Sequence, residues 1–271
     1  MDKSIKRPVV LTIAGFDPSG GAGVLADIKT ITAFGCYGVA AVTSLTFQNT
    51  RRVFGAFKQD AETVRRQIAP LFEDFEIAAI KTGMLPTADI IREVASIIRE
   101  NAVPVVVVDP VLKSTSGFDL IDRHAIDALM SEVFPLASLV TPNIEEAQRI
   151  SGIAIRDQVQ MESAAKAILK IGSSAVLITG GDAGSGLSTD LLLDTGGAAV
   201  FSAERIRSKH THGTGCTLAS ALACLLARGR SLRESVAVAK QYITQAIVSA
   251  PAVGHGNGPL NHFPSGFEFE Q

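Results

Sequence analysis

No Cys-x-x-Cys pair, no block of lysine and arginine, and no apolar run long enough to cross a bilayer occurs in this chain, and each absence closes a class of function. The three cysteines, Cys36, Cys216 and Cys224, leave one over after any pairing. Neither a disulfide framework nor a cysteine zinc site is indicated, and a reducing cytoplasm is the expected setting. With 25 Lys+Arg against 27 Asp+Glu and a formal net charge of -2, nucleic acid and anionic membranes are poor partners, and the ligand should be small. The run 213–227 is cut by Arg228 before it could span a membrane. Lys3, Lys6 and Arg7 before an apolar stretch imitate a signal peptide, but Asp17 and Pro18 end that stretch early, so a soluble protein is predicted. The dipeptide Gly-Lys is absent, which excludes a Walker A loop; a Gly-x-Ser-x-Gly elbow and a His-Glu-x-x-His zinc spacing are absent too.

What is present is a chain of 271 residues, 46% hydrophobic and 19% charged, enough for a large core in one domain over residues 1–271. Short β-branched runs at 9–13, 39–46, 78–81, 105–108, 139–140 and 175–179 alternate with helical stretches at 60–71, 88–100, 121–133, 160–171, 217–227 and 232–250. That alternation predicts an α/β fold with a mostly parallel sheet covered by helices on both faces. Segments 189–194 and 198–202, joined by Thr195-Gly196-Gly197, predict a β-hairpin at one edge. Glycine and polar residues gather at the carboxyl ends of the predicted strands, where such sheets bind ligands: 15–23, Gln48-Asn49, Gly83-Met84, Asp109-Pro110, Thr141-Pro142-Asn143 and Gly180-Gly181.

The turn His210-Thr211-His212-Gly213-Thr214-Gly215-Cys216 feeds one of these helices. A glycine turn opening a helix points several N–H groups outward beside a partial positive charge, which makes an anion hole, and the same field is expected to lower the pKa of Cys216. A glycine loop with a buried cysteine is the plainer alternative. The first loop, 15–23, contains Gly21-x-Gly23-x-x-Ala26, a loose dinucleotide fingerprint. An NADP oxidoreductase could appeal to Arg51 and Arg52, yet no acidic residue lies between Ile28 and Gln59 to hold a ribose. Asp27 falls one helical turn after Gly23, on the side of the loop, and could equally be a solvated acid favoured by the helix dipole. Asp109 closes a run of valines, and Asn143-x-x-Glu146 is a capping box in its own right; together the two carboxylates suit one Mg²⁺. His210, His212, His255 and His262 read as surface or loop histidines, and no spacing supplies a His partner that would make Cys216 a hydrolase nucleophile.

Taken in order from about residue 9 to 263, the first loop 14–23, Gln48-Asn49-Thr50, Gly83-Met84-Leu85, Asp109-Pro110-Val111, Thr141-Pro142-Asn143-x-x-Glu146-Ala147, Thr211 to Cys216 and Gly254-His255-Gly256-x-Gly258-Pro259 resemble the hydroxymethylpyrimidine/phosphomethylpyrimidine kinases of thiamine biosynthesis. The resemblance implies a three-layer α/β/α ribokinase-like fold and transfer of the ATP γ-phosphate to a hydroxymethyl group, with ATP and Mg²⁺ as cofactors and a homodimer as the assembly. It further implies that Gln48 binds the aminopyrimidine, with Asp27, Gly15, Ala22, Thr46 and Met84 beside it. Asp109 and Glu146 would hold Mg²⁺, Gly213, Thr214 and Gly215 the anion, and Thr179, Gly180, Gly181 and Lys240 would lie near the nucleotide. Cys216 would be either the base or an anion-hole member. Pyridoxal or pyridoxine kinases, of the same superfamily, are the nearest alternative. The chain departs from the family pattern at Thr115 and Thr179, where lysine is usual, and at Phe16, where a small hydroxyl residue is usual; Lys113 is a candidate stand-in.

Overall fold

The computed structural model describes residues 7–114, 116–122, 124–180, 186–265 and 267. Strands β1 (Val9–Phe16), β2 (Tyr37–Gln48), β3 (Val53–Lys58), β4 (Ile77–Thr82), β5 (Val106–Val108), β6 (Leu139–Val140), β7 (Val176–Thr179), β8 (Leu187–Asp194) and β9 (Gly197–Glu204) form one sheet in the order β3-β2-β1-β4-β5-β6-β7-β8-β9. The six central strands, from β2 to β7, run parallel, and both flanks are antiparallel.

The apolar runs explain why the sheet is covered on both sides. Successive side chains on a strand point to opposite faces, so an unbroken valine or leucine run feeds two cores at once. Leu11, Ile80, Val106 and Val108 enter one core with helices α2 (Ala61–Asp74), α3 (Ala88–Asn101), α5 (Ile144–Ser151) and α6 (Gln158–Leu169). Val10, Ala79 and Val107 enter the other, with α1 (Gly23–Ala33), α7 (Thr214–Ala227) and α8 (Leu232–Val248). The result is a three-layer α/β/α sandwich. No helix among the described residues is long and apolar enough to cross a membrane.

Local signals set the helix starts. Asp60 caps α2 through Thr63 N at 2.6 Å, and Asn143 and Glu146 form the capping box of α5 as the spacing predicts. The expected helix over 121–133 is shorter: α4 (Ala125–Ala128) passes into a π-helical turn, Leu129–Val133, and a 3₁₀ turn, Phe134–Leu136. Pro135, which lacks an amide hydrogen, lies inside that last turn. The β8–β9 hairpin stands at the predicted edge. Strand β3, at the opposite edge, carries no buried alternation that would mark it in the sequence, since Phe54, Phe57 and Lys58 are all exposed.

Candidate active site

A cleft of about 780 Å³ opens along the carboxyl ends of the parallel strands. It is lined by Gly15 and Ala22 from the first loop, Thr46 and Gln48 from β2, Met84 after β4, Asp109 after β5, Glu146 of α5, Thr179 of β7, Lys240 of α8, and Gly213, Thr214, Gly215 and Cys216 where α7 begins. Thirteen of the sixteen residues singled out above, fifteen of which are described, thus face one space. Asp27 and Gly180 do not line it. The Gly180 amide donates to Asp190 Oδ1 at 3.0 Å, tucked behind the rim. Gly181 and Thr115 lie outside the described residues.

The anion loop and the first loop fit each other backbone to backbone. Gly213 is the N-cap of α7 with φ +86°, and a Cβ there would lie 1.8 Å from Gly21 O. Only glycine meets both demands. Asp17 braces the first loop: its Oδ1 accepts from Ser19 N at 2.8 Å and Ser19 Oγ at 2.7 Å, and its Oδ2 from Ala22 N at 2.9 Å. His212 Nε2 lies 2.8 Å from Asp17 Oδ2, which ties the residue before Gly213 to the same carboxylate. Burial alone would raise the Asp17 pKa, but hydrogen bonds from His212, Ser19 and Gln48 hold it well below the usual carboxylate range.

The first turn of α7 presents the amides of Gly215 and Cys216, which have no intrahelical acceptor. Opposite them sits Asp109, whose oxygens would both be 3.7 Å from a Cβ on Gly215. Asp109 Oδ2 is buried and makes no hydrogen bond among the described residues. Burial, with help from Asp27, pushes the Asp109 pKa up to about 6 against the pull of Lys81. Glu146 rises to about 8, first through burial and then through Asp109, while the amides of Asn143 and Leu112 oppose the rise. Two carboxyls that resist ionising together could hold a cation between them. Among the described residues no group of three or more His, Cys, Asp or Glu forms a metal cage, so what the cleft offers is this pair.

Cys216 corrects an expectation. Burial pushes its thiol up to about 12; Asp109 and Asp27 add to the rise, against the pull of Lys81 and the Gly23 amide. The field of the helix start does not lower it below its ordinary value, because lost hydration and two nearby carboxylates outweigh a half-charge at the helix end. Asp27 is not a solvated acid either: with 0% exposure it forms an ion pair with Lys81 at 2.9 Å, beneath the cleft floor. Lys240 donates to Asp190 Oδ2 at 2.8 Å at the cleft wall. Thr46 donates to Phe16 O at 2.9 Å, and Met84 packs so close to Gly15 that a Cβ there would meet its sulfur at 2.9 Å. His212 and His262 are not surface histidines, for the first is held by Asp17 and the second is 4% exposed.

Sequence reasoning missed the Asp17–His212 pair, the buried Lys81, and the cations Arg149, Arg205 and Arg207, which line the cleft. Only the juxtaposition of His212 with Gly213 hinted at any of them. Lys81 carried no mark beyond a charge at a strand end.

Comparison with known proteins gives this cleft a lineage. Residues 17–261 match the family described as phosphomethylpyrimidine kinase. The thiamine biosynthesis bifunctional protein ThiED of Geobacter sulfurreducens is 47% identical over 256 residues, which are 94% of this chain and 52% of that protein, so the chain spans about half the length of this relative. The hydroxymethylpyrimidine/phosphomethylpyrimidine kinase of Streptomyces coelicolor is 41% identical over 258 residues, 95% of each chain. An ADP complex of Bacillus subtilis pyridoxal kinase superposes with a TM-score of 0.87 at 36% identity, covering 95% of this chain and 98% of that one, which places the three-layer sandwich among ribokinase-like kinases. With the match running through the first loop, the carboxylate pair and the anion turn alike, the chain belongs to the phosphomethylpyrimidine kinase family.

Proposed function

We propose that this chain is an ATP- and Mg²⁺-dependent kinase that phosphorylates 4-amino-5-hydroxymethyl-2-methylpyrimidine and then its monophosphate, giving the diphosphate used in thiamine assembly. The observation that carries the reading is the convergence on one cleft of the Gly213–Cys216 turn, the Asp109–Glu146 pair and Gln48. The Streptomyces coelicolor relative named for pyrimidine phosphorylation stands at 41% identity and the ThiED relative, named for thiamine biosynthesis, at 47%, above the pyridoxal kinase at 36%.

Gln48 lies beside Asp17 and helps hold that carboxyl below the usual range. The Gln48 amide offers an N–H for a ring nitrogen and a carbonyl for the adjacent amino group. Met84 and Gly15 supply a flat, apolar wall. The hydroxymethyl oxygen then faces the start of α7, where the amides of Gly215 and Cys216 receive the γ-phosphoryl oxygens. That oxygen bonds to the γ-phosphorus as the bond to the β–γ bridging oxygen breaks. ADP leaves, and the hydroxyl proton passes to a phosphoryl oxygen. A loose transition state of this kind needs placement and charge neutralisation more than a strong base. A thiol held up to about 12 stays protonated at neutral pH, so we assign Cys216 to the anion hole and not to proton abstraction.

Asp109 and Glu146 fit a magnesium ion, since hard carboxylate oxygens are what that ion takes and Asp109 Oδ2 has no other partner among the described residues. Bound there, Mg²⁺ would neutralise charge on the β- and γ-phosphates. Glu146 keeps its capping bonds to Asn143 N at 3.0 Å and Leu112 N at 3.4 Å, which suits a contact through water. Arg149, Arg205 and Arg207, which line the same cleft, would supply the positive charge along the phosphates. The chain acts in the cytoplasm as one domain, a reading that the single sheet running through it supports for the domain count, and pairs with a second copy through the outer face of β2 and β3. There Leu45 stands opposite Phe57, and Leu45, Phe47 and Phe57 are 39%, 56% and 59% exposed.

ADP release with Mg-ATP and, separately, hydroxymethylpyrimidine, its phosphate, pyridoxal and pyridoxine tests the reading. Turnover of both pyrimidines is expected. Turnover of pyridoxal alone would overturn the substrate assignment.

A further inference from the structure

Beneath the cleft floor lies a charged network that the mechanism above does not use. Lys81 and Asp27 are both 0% exposed. Lys81 Nζ donates to Asp27 Oδ1 at 3.0 Å and Oδ2 at 2.9 Å, Ser220 Oγ to Oδ1 at 2.8 Å, and Thr12 Oγ1 to Oδ2 at 2.6 Å. Four elements therefore meet at one carboxylate. As a structural device this is a poor choice: burying an ammonium and a carboxylate between a sheet and two helices costs desolvation that well-packed apolar side chains would avoid.

Its position points to another purpose. Alternation along β4 and β5 puts Lys81 on the same sheet face as Ala79 and Val107, and Asp109 is two residues past Val107. The Asp109 amide donates to Thr82 O at 3.0 Å, so the two strands are in register next to the lysine. Ser220 lies one turn along α7 from Cys216, and Asp27 one turn along α1 from Gly23. The network is thus the layer immediately below the anion turn and the carboxylate. An ammonium has three donors, and bonds to the two Asp27 oxygens leave a third beyond that carboxylate. Room for it exists because residue 83 is glycine: a Cβ there would be 2.9 Å from Lys81 Nζ. The neighbours that hold the Lys81 pKa well above its ordinary value, against burial, are Asp27, Cys216 and Asp109.

We infer that Lys81 is a positioning residue for phosphoryl transfer: clamped by Asp27, its fixed positive charge holds the Asp109 carboxylate, next to the start of α7, in the arrangement that meets the γ-phosphoryl group. This rests on the kinase reading above. A neutral floor would leave the anion turn in place but remove the charge that offsets two carboxylates beside an incoming polyphosphate, so the loss should fall on the chemical step.

The test uses the full-length protein, with the ADP-release assay on wild type as the control for the kinase reading: an inactive wild type refutes that reading, and only with an active wild type do the variants judge Lys81. Lys81→Met alone strands a buried carboxylate and is expected to unfold readily. The informative variant is Lys81→Met with Asp27→Asn, which removes both charges together and keeps the volume. It is expected to keep the wild-type circular dichroism spectrum and KM values within about threefold, with kcat lower by roughly 30-fold or more. A folded double variant with kcat within about threefold of wild type, or one in which only KM rises, overturns the inference. Should the double variant not fold, Thr12→Val and Ser220→Ala loosen the clamp with both charges retained. A fall in kcat of about fivefold or more at constant KM in either supports the inference, and a smaller change in both refutes it.

Discussion

Replacing Gly213 by alanine and comparing it with Gly229→Ala separates the loop-to-loop fit from ordinary backbone strain. Both glycines have positive φ, +86° and +77°, and both flank α7. The strain of placing an L-residue in that region, roughly 1–2 kcal/mol, is therefore common to the two. Their surroundings differ. Nothing lies within 4 Å of a Cβ on Gly229, whereas one on Gly213 meets Gly21 O at 1.8 Å and Gly21 C at 2.8 Å. Those are backbone atoms of the first loop, and they cannot swing aside as a side-chain end could. Contacts under 3.0 Å are not tolerated, so the anion turn and the first loop must separate by more than about 1 Å, and a misplacement of that size costs on the order of 100-fold in rate. Gly229→Ala is expected to lower stability in urea by about 1–2 kcal/mol with kcat/KM unchanged. Gly213→Ala should lose more stability and about 100-fold in kcat/KM. Equal stability losses with activity retained in both would refute the claim that the two loops are built against each other.

Other outcomes follow from the same geometry. Cys216→Ala, which keeps the backbone amide, should lower kcat by no more than about 10-fold, whereas a loss of about 100-fold or more would point to the thiol as a base, and Gln48→Ala should mainly raise the pyrimidine KM, about 10-fold or more, in steady-state kinetics. Burial, reinforced by Lys29, lowers the His262 pKa from 6.5 to about 4. The native state thus refuses a proton that the unfolded chain accepts, so this contribution is complete above pH 6.5 and is lost as pH falls toward 4, up to roughly 3 kcal/mol. His262→Leu should flatten the urea stability curve across that window, and an unchanged acid slope would count against it. Phe47→Asp combined with Phe57→Asp should convert a sedimenting dimer into a monomer; a wild-type monomer would remove the proposed interface.

The central strands were legible because each is an apolar run bounded by glycine or polar residues, and burial on both faces leaves little else such a run can be. Edge strand β3 was not, since an edge exposed on one side and free of a neighbour needs no apolar pattern. The cleft itself could be read from the clustering of glycines and carboxylates at strand ends. What stayed hidden was whatever depends on distant parts of the chain meeting. Asp17 finds His212 across 195 residues, and Asp27 finds Lys81 across 54. Their residue types are ordinary, and only the fold makes them partners. Cys216 was misjudged for the same reason: the helix start is visible in the sequence, but the burial and the two carboxylates that outweigh it are not.

The account rests on one polyphosphate and one flat heterocycle sharing a cleft, and a crystal structure with a non-hydrolysable ATP analogue, Mg²⁺ and hydroxymethylpyrimidine tests it most directly. The expected result places the γ-phosphate on the amides of Gly215 and Cys216, the metal beside Asp109, and the pyrimidine on Gln48 with its hydroxymethyl oxygen facing the phosphorus. A triphosphate away from the start of α7, or a pyrimidine in a separate cavity, would contradict it.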